Sequence, residues 1–388
     1  MGQDGRIEAD HVRVEEDVVL LPGSVIRGSE VVLRRGTRIG SGVEITCDFI
    51  ELGAECRIGD GSRIISPEIT LGKGCTIGKG FEAELNEYFH IGQRSNIGQR
   101  VVMVGQGIRT GEFLWLKDDV LVGGGGARGP RSYFTVGDRT SVFDRCYINL
   151  SESVTIGSGS ALSSNVVLLT HGAWQPALMG FRTNFAPIKI GDHTVVYLNS
   201  TVMPGVTIGD YSTVGAGSLV LQNIPDYCLA AGSPARILKG PEGYPTPLNK
   251  DEIDLLLDDI MADYLTTLPS KGVKVLSVTS DGRSFTAELN GQQETVVYIP
   301  LCGKDSKRVD EGPPPTILLV HDGREFADMQ GCVFDLASET VRGEMAPLAE
   351  DLRDYLRRRA IRFFTERPFQ TLPLTNLQRL KSKSRGSE

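Results

Sequence analysis

From Ile190 to Val220 the chain reads IGDHTVVYLNSTVMPGVTIGDYSTVGAGSLV. Ile190, Val196, Val202, Ile208, Val214 and Val220 recur at every sixth position without a break. Small and acidic residues follow at fixed offsets, as in Ile190-Gly191-Asp192 and Ile208-Gly209-Asp210. A step of six matches neither the 3.6-residue turn of a helix nor the simple two-residue alternation of a strand. It matches a solenoid, in which each hexad supplies a short strand and a corner.

The same step runs through most of the chain before residue 240. It begins at Leu20 and Ile26 and continues through Leu33, Ile39 and Ile45, then Leu52, Ile58 and Ile64, then Leu71 and Ile77. Ile91, Ile97 and Met103 follow, then Val136, Val142 and Ile148, then Ile156, Leu162 and Leu168. Slips of one or two residues between blocks are expected where a corner takes an extra residue. Three hexads make one coil of a triangular prism, with coils stacked about 4.8 Å apart. The aliphatic residue points inward, and Gly, Asn and Asp hold the corners because they tolerate positive φ. Two segments break the pattern, 105–133 and 172–187. The first contains Gly123-Gly124-Gly125-Gly126, with no Gly-Lys-Ser/Thr after it, so it reads as a loop and not as a phosphate cradle.

After Pro245-Thr246-Pro247 the periodicity changes. Asp251 to Leu265 reads as a one-faced helix. Alternating runs at Val273–Val278, Ser284–Leu289 and Glu294–Ile299, with Thr316–Val320 and Val333–Leu336, read as strands. Glu350 to Thr365 reads as an arginine-rich amphipathic helix. The expected organisation is mostly β: a parallel β-helix over 1–240, a linker at 241–250, a smaller α+β domain over 251–372 and a flexible tail at 373–388.

Composition limits the function classes. The net charge of −8 disfavours a nucleic-acid or anionic-membrane surface. Seven scattered cysteines form no CxxC pair, which argues against a zinc cage or a disulfide framework. No apolar run approaches the ~20 residues needed to span a bilayer, so no membrane insertion is expected. The expectation is a cytoplasmic protein with reduced thiols.

The stretch Ile190-Gly191-Asp192, Pro204-Gly205-Val206-Thr207-Ile208-Gly209-Asp210, Val214-Gly215-Ala216-Gly217-Ser218, Ile224-Pro225 and Ala231-Gly232-Ser233-Pro234-Ala235-Arg236 resembles the C-terminal signature of hexapeptide-repeat acyltransferases. It is similar to galactoside, maltose, serine and xenobiotic acetyltransferases and to surface-polysaccharide O-acetyltransferases. The signature covers about 189–239, and the wider repeat covers most of 12–240. The C-terminal domain lies outside it. The resemblance implies a left-handed parallel β-helix and a homotrimer. It also implies acetyl-CoA or another acyl-CoA as cosubstrate, a carbohydrate or small-molecule acceptor, and no metal.

Acyl transfer needs a base that takes a proton from the acceptor as it attacks the thioester. Histidine suits this because it titrates near working pH. The family's histidine precedes the loop before the final repeats, and the matching segment is Val166-Val167-Leu168-Leu169-Thr170-His171-Gly172, so His171 is the implied base. His90 is the competitor. Asn149 resembles an acceptor-contacting asparagine, and Asn165, Gln175 and Asn184 are further polar candidates. For the cosubstrate, the resemblance implies Ala216, Gly217 and Ser218 at the pantetheine and Arg236 and Lys239 at the phosphates. Leu198 stands in Tyr197-Leu198-Asn199 where the family has Ile-Gly-x. Gln222 stands in Leu221-Gln222-Asn223 where the family has Thr-Lys-Asp.

Other readings use the same prism. An N-acyltransferase acting on an amino-sugar nucleotide is the near variant, and a non-catalytic trimeric scaffold is the other, since fold alone does not specify function. A γ-type carbonic anhydrase needs three histidines around zinc. The repeats before the last block hold only His11, His90 and His171, with no His-x4-His pair. A nucleotidyltransferase needs a large α/β domain ahead of the repeats.

Overall fold

The computed structural model describes residues 5–172, 175–302, 316–321, 331–365, 367 and 369–378. The chain divides into two compact units, Met1–Thr246 and Pro247–Glu388.

The first unit is a parallel β-solenoid of stacked coils. Its strands stack into three faces. One face aligns Leu20, Ile39, Ile58, Ile77, Ile97, Leu116, Val142, Leu162, Val196, Val214 and Ala230 in unbroken parallel register. A second aligns Ile26, Ile45, Ile64, Ala83, Met103, Val122, Ile148, Leu168, Val202 and Val220. The third aligns Leu33, Leu52, Leu71, Ile91, Thr110, Val136, Ile156, Ile190 and Ile208. The hexad from Ile190 to Val220 thus visits the third, first and second faces twice in turn. Nearly all of these side chains are buried in one continuous core.

The corners carry a second ladder, made of hydrogen bonds. The Thr37 and Ser160 hydroxyls and the Cys56 and Cys75 thiols each donate to a glycine carbonyl one coil on, at Gly53, Gly191, Gly72 and Gly92. Thr194 does the same to Gly209 at 2.6 Å. These cysteines therefore stand in for Ser and Thr, which explains their scatter in the sequence. Aspartates add a third support. Asp192 accepts from the Ser158 amide at 2.7 Å and Asp210 from the Asp192 amide at 2.8 Å. The glycine before each aspartate is required: a Cβ on Gly191 would lie 2.2 Å from Asp210 Oδ1.

The interruption expected over 105–133 is much shorter. Val102–Thr110, Trp115–Leu116 and Leu121–Gly123 are regular strands in coil register. Gly105-Gln106-Gly107 and Thr110 occupy coil positions there, so the aliphatic phase vanishes while the backbone continues. Only 124–132 leaves the coil. Gly172 and the described residues 175–187 do depart from it. His171–Gly172 pairs antiparallel with Asn184–Phe185, and Ala177–Met179 makes one 3-10 turn.

In the second unit, a helix over Lys250–Thr267 starts at a capping box formed by Asn249 and Glu252. A six-stranded sheet follows, ordered Lys274–Val278, Ser284–Leu289, Gln292–Tyr298, Thr316–Val320, Gly331–Asp335, Thr340–Gly343. Its two central pairings are parallel. The last strand is largely exposed and lacks the alternation that would have marked it in sequence. The second helix spans Pro347–Arg357 and stops well short of Thr365. Ala360 turns left-handed at φ 62, and the Ile361 amide closes back on the Leu356 carbonyl. Buried Arg353 then ties down the following segment, donating to Thr365 Oγ1 at 2.6 Å and to the Arg367 carbonyl at 3.1 Å. Of the expected tail at 373–388, residues 379–388 lie outside the described residues.

Asp254 is a buried anchor of this unit. Burial pushes its carboxyl up, but hydrogen bonds from the Tyr298 hydroxyl and the Leu301 and Cys302 amides outweigh that and hold it below the usual carboxylate range. A depressed folded-state pKa gives stability that is present above the unfolded value and lost as pH falls through the folded one. Asp254→Asn is therefore expected to destabilise this unit by about 1–3 kcal/mol near neutrality. In urea unfolding, the gap from wild type should shrink below about pH 4; a gap independent of pH would contradict the assignment.

Candidate active site

The corner between the second and third faces gathers polar side chains. Leu121–Gly123, Tyr147–Asn149 and Val167–Leu168 run into it on successive coils, with Gly123 opposite Asn149 and Ile148 opposite Leu168. The register thus sets Asn149 one coil from the segment that ends in His171.

His171 Nδ1 lies 2.8 Å from Asn149 Oδ1 and 2.9 Å from Ser151 Oγ. The proton positions follow from the partners. Asn149 Nδ2 lies 3.3 Å from the Gly123 carbonyl and 3.1 Å from the Gly125 carbonyl, both acceptors only, so the amide orientation is fixed. Asn149 Oδ1 is therefore an acceptor. Ser151 Oγ donates its one proton to the Gly125 carbonyl at 2.5 Å. Nδ1 must then carry the imidazole proton, and the neutral ring keeps a bare lone pair on Nε2.

Thr170 completes the clamp. Its hydroxyl donates to Asn149 Oδ1 at 2.7 Å and accepts from the Glu152 amide at 3.2 Å. The His171 ring stacks on Phe185, with centroids 5.5 Å apart and planes 20° apart. His171 is half-buried, and Phe185 is half exposed on the returning strand of the loop. Glu152 is no competing base. Hydrogen bonds from Arg131 at 2.6 Å and 2.5 Å hold its carboxyl below the usual range, so it stays charged and paired.

The sequence candidates separate clearly. Asn149 is fully buried, so it positions His171 rather than touching an acceptor. His90 has both ring nitrogens engaged, with Glu68 at 2.9 Å and Arg109 at 3.3 Å, and offers no free base. Asn165 is a corner residue at φ 59 that donates to Asn199 at 3.1 Å. Asn184 lies on the loop strand facing the Pro204 carbonyl, and Gln175 is exposed. Leu198, Ala216 and Gly217 share the corner between the first and second faces, where the Gly217 amide donates to the Leu198 carbonyl at 2.9 Å. Ala216 is exposed, and its backbone groups make no intramolecular bond among the described residues. Ser218 does not fit the cosubstrate role expected of it. It is buried, its hydroxyl donates to the Gly215 carbonyl at 2.6 Å, and its amide donates to Ser200 Oγ. Gln222 is exposed after Val220, while Arg236 and Lys239 are exposed on the closing antiparallel strand Ala235–Lys239. Sequence reasoning missed Ser151, Thr170, Phe185 and the Gly125 carbonyl. Only the placement of Ser151 two residues after Asn149 hinted at a shared side of the chain.

The first unit is thus a repetitive parallel solenoid with a histidine clamped at one corner. Residues 187–222 match the family described as bacterial transferase hexapeptide (six repeats). Over 120 residues the chain is 34% identical to galactoside O-acetyltransferase of Escherichia coli (strain K12), covering 28% of this chain and 58% of that protein. Among solved structures it is similar to a maltose O-acetyltransferase from Clostridium difficile 630, at 27% identity and TM-score 0.28, over 35% of this chain and 68% of that one. It is also similar to a galactoside acetyltransferase in complex with coenzyme A, at 28% identity and TM-score 0.30, over 34% and 64%. The chain thus spans little more than half the length of the curated relative. Over residues 187–222 its repeats are similar to those of the bacterial transferase hexapeptide family.

Asn149→Ala would remove the amide oxygen that His171 Nδ1 and the Thr170 hydroxyl share and the donor to the Gly123 and Gly125 carbonyls, leaving Thr170 only the Asn149 carbonyl at 3.0 Å. The expected cost is about 1–3 kcal/mol in the unfolding of the solenoid, read by chemical denaturation. No measurable loss would mean that the Asn149 network is not formed.

Proposed function

We propose that this protein is an acyl-CoA-dependent acyltransferase. In this reading it moves an acetyl group from acetyl-CoA to a hydroxyl of a sugar or polysaccharide precursor, with His171 as general base. The observation that carries the reading is the clamp on Nδ1. Asn149 and Ser151 fix one tautomer, and that tautomer presents a lone pair on Nε2. Fixing the tautomer and ring orientation in advance is what an efficient proton acceptor requires. The O-acetyltransferase name of the galactoside relative supports the same chemistry.

The reaction follows in two stages. Nε2 takes the proton of the acceptor hydroxyl as its oxygen attacks the thioester carbonyl, forming a tetrahedral intermediate. The intermediate collapses, the C–S bond breaks, and the imidazolium returns its proton to the leaving thiolate. Asn149 Oδ1 accepts from Nδ1–H throughout and favours the transient positive charge on the ring.

The cosubstrate is assigned to the wall marked by Leu198, Ala216 and Gly217. The unbonded backbone of Ala216 suits the pantetheine amides, and the small side chains there allow close approach. Val167, Thr201 and Leu219 lie half-exposed on the second face between this corner and His171. Gln222 follows Val220, which lies two coils from Leu168 in the register of the second face. Arg236 and Lys239 supply positive charge for the phosphates. A homotrimer would close the groove from the neighbouring prism.

His171→Ala is expected to lower kcat for acetyl transfer about 10²–10⁴-fold, with the solenoid intact by circular dichroism. Full activity in that variant would remove His171 as the base. Replacing Ala216 by Trp should weaken acetyl-CoA binding in calorimetry, and unchanged affinity would move the thioester elsewhere.

A further inference from the structure

Four consecutive glycines pass beside His171, and three of them are demanded by the fold. Gly123 sits at φ +142 with a Cβ position 3.1 Å from the Val104 carbonyl oxygen. Gly124 sits at φ +85, where a Cβ would fall 2.2 Å from the Tyr147 hydroxyl. Gly126 sits at φ +82, where a Cβ would fall 2.5 Å from Ser151 Oγ. A side chain at any of these is excluded by conformation or by contact.

Gly125 is different. Its φ lies outside the left-handed region, and an added Cβ meets only His171, with Cε1 at 3.8 Å and Nε2 at 3.9 Å. Those are ordinary contact distances, so the fold does not require glycine here. What glycine preserves is the space along the Nε2 edge of the imidazole.

That space has fixed walls. The Gly125 carbonyl is held by Ser151 Oγ and Asn149 Nδ2. The same two side chains hold His171 Nδ1. One clamp therefore sets the gap between the Gly125 backbone and Nε2, and a side chain at 125 could not retreat from the base. Phe185 lies on the ring of His171 and is half exposed. The Gly126 amide, in the peptide pinned through the Gly125 carbonyl, has no intramolecular partner among the described residues. The opening thus offers a bare peptide, an unbonded N–H donor and an aromatic ring.

We propose that Gly125 is the specificity-determining residue of this site: its missing side chain admits a ring-sized, polyhydroxylated acceptor to Nε2 of His171. The proposal rests on His171 being the base. A sugar ring matches the opening because its hydroxyls take up the peptide donor and its C–H face packs against an aromatic ring. A slender alcohol would not need the space.

The experiment compares methyl β-galactoside with glycerol as acceptors, following CoA release from acetyl-CoA. It uses wild type, Gly125→Ala and Gly125→Val. The kcat/KM ratio of galactoside to glycerol is expected to fall in Gly125→Ala and to fall about 10–200-fold in Gly125→Val. An unchanged ratio in both variants would overturn the proposal, because space at 125 would then not select the acceptor. Undiminished transfer in His171→Ala would instead overturn the base assignment, a result distinct from any change in the acceptor ratio.

Discussion

A coil of this solenoid cannot bury its aliphatic side chains alone; it buries them against the coils above and below. That constraint fixes everything else in the first unit. Each inward residue must lie over its counterpart, so the register between coils is held along all three faces. Corners must then turn at the same place in every coil, and each corner's backbone must bond to the next. Hydroxyls, thiols and aspartates at the corners meet this need at places where few other residues fit. Because stacking sets the register, residues far apart in sequence meet at defined heights.

The candidate site uses that rigidity. Asn149 and His171 belong to successive coils, and 2.8 Å between their side chains is a consequence of coil spacing. The buried amide does several things at once. It accepts from Nδ1, accepts from Thr170 and donates to two glycine carbonyls of the preceding coil. His171 and the glycine backbone beside it are thereby held by a common centre. A loop of four glycines would be mobile in isolation; tethered through the Gly125 carbonyl, it becomes a wall.

The sequence revealed the prism because a six-residue step of Ile, Val and Leu is a direct record of stacking. Its hidden stretch was 105–123, where Gly105, Gly107 and Thr110 occupy coil positions without aliphatic side chains and the backbone carries the register alone. His171 was singled out through a family resemblance, but the side chains that clamp it were not legible. Asn149 and Ser151 reach it across coils, and no local pattern records a contact twenty or more residues away. Ser218 misled because a small polar residue at a corner looks the same whether it faces a ligand or caps its own turn. In the second unit, helix Lys250–Thr267 was plain from its face and cap. The end of the next helix at Arg357 depends on Ala360 adopting a left-handed conformation, which an alanine does not advertise.

The central claim is that the Asn149–Ser151 clamp holds neutral His171 with its proton on Nδ1 and its lone pair on Nε2. Long-range ¹⁵N–¹H correlation spectra of the imidazole, recorded above the pH at which the ring is charged, read this directly. The account predicts a protonated Nδ1 and a bare Nε2, with the preference weakened in Asn149→Ala. A neutral His171 protonated on Nε2 would contradict it.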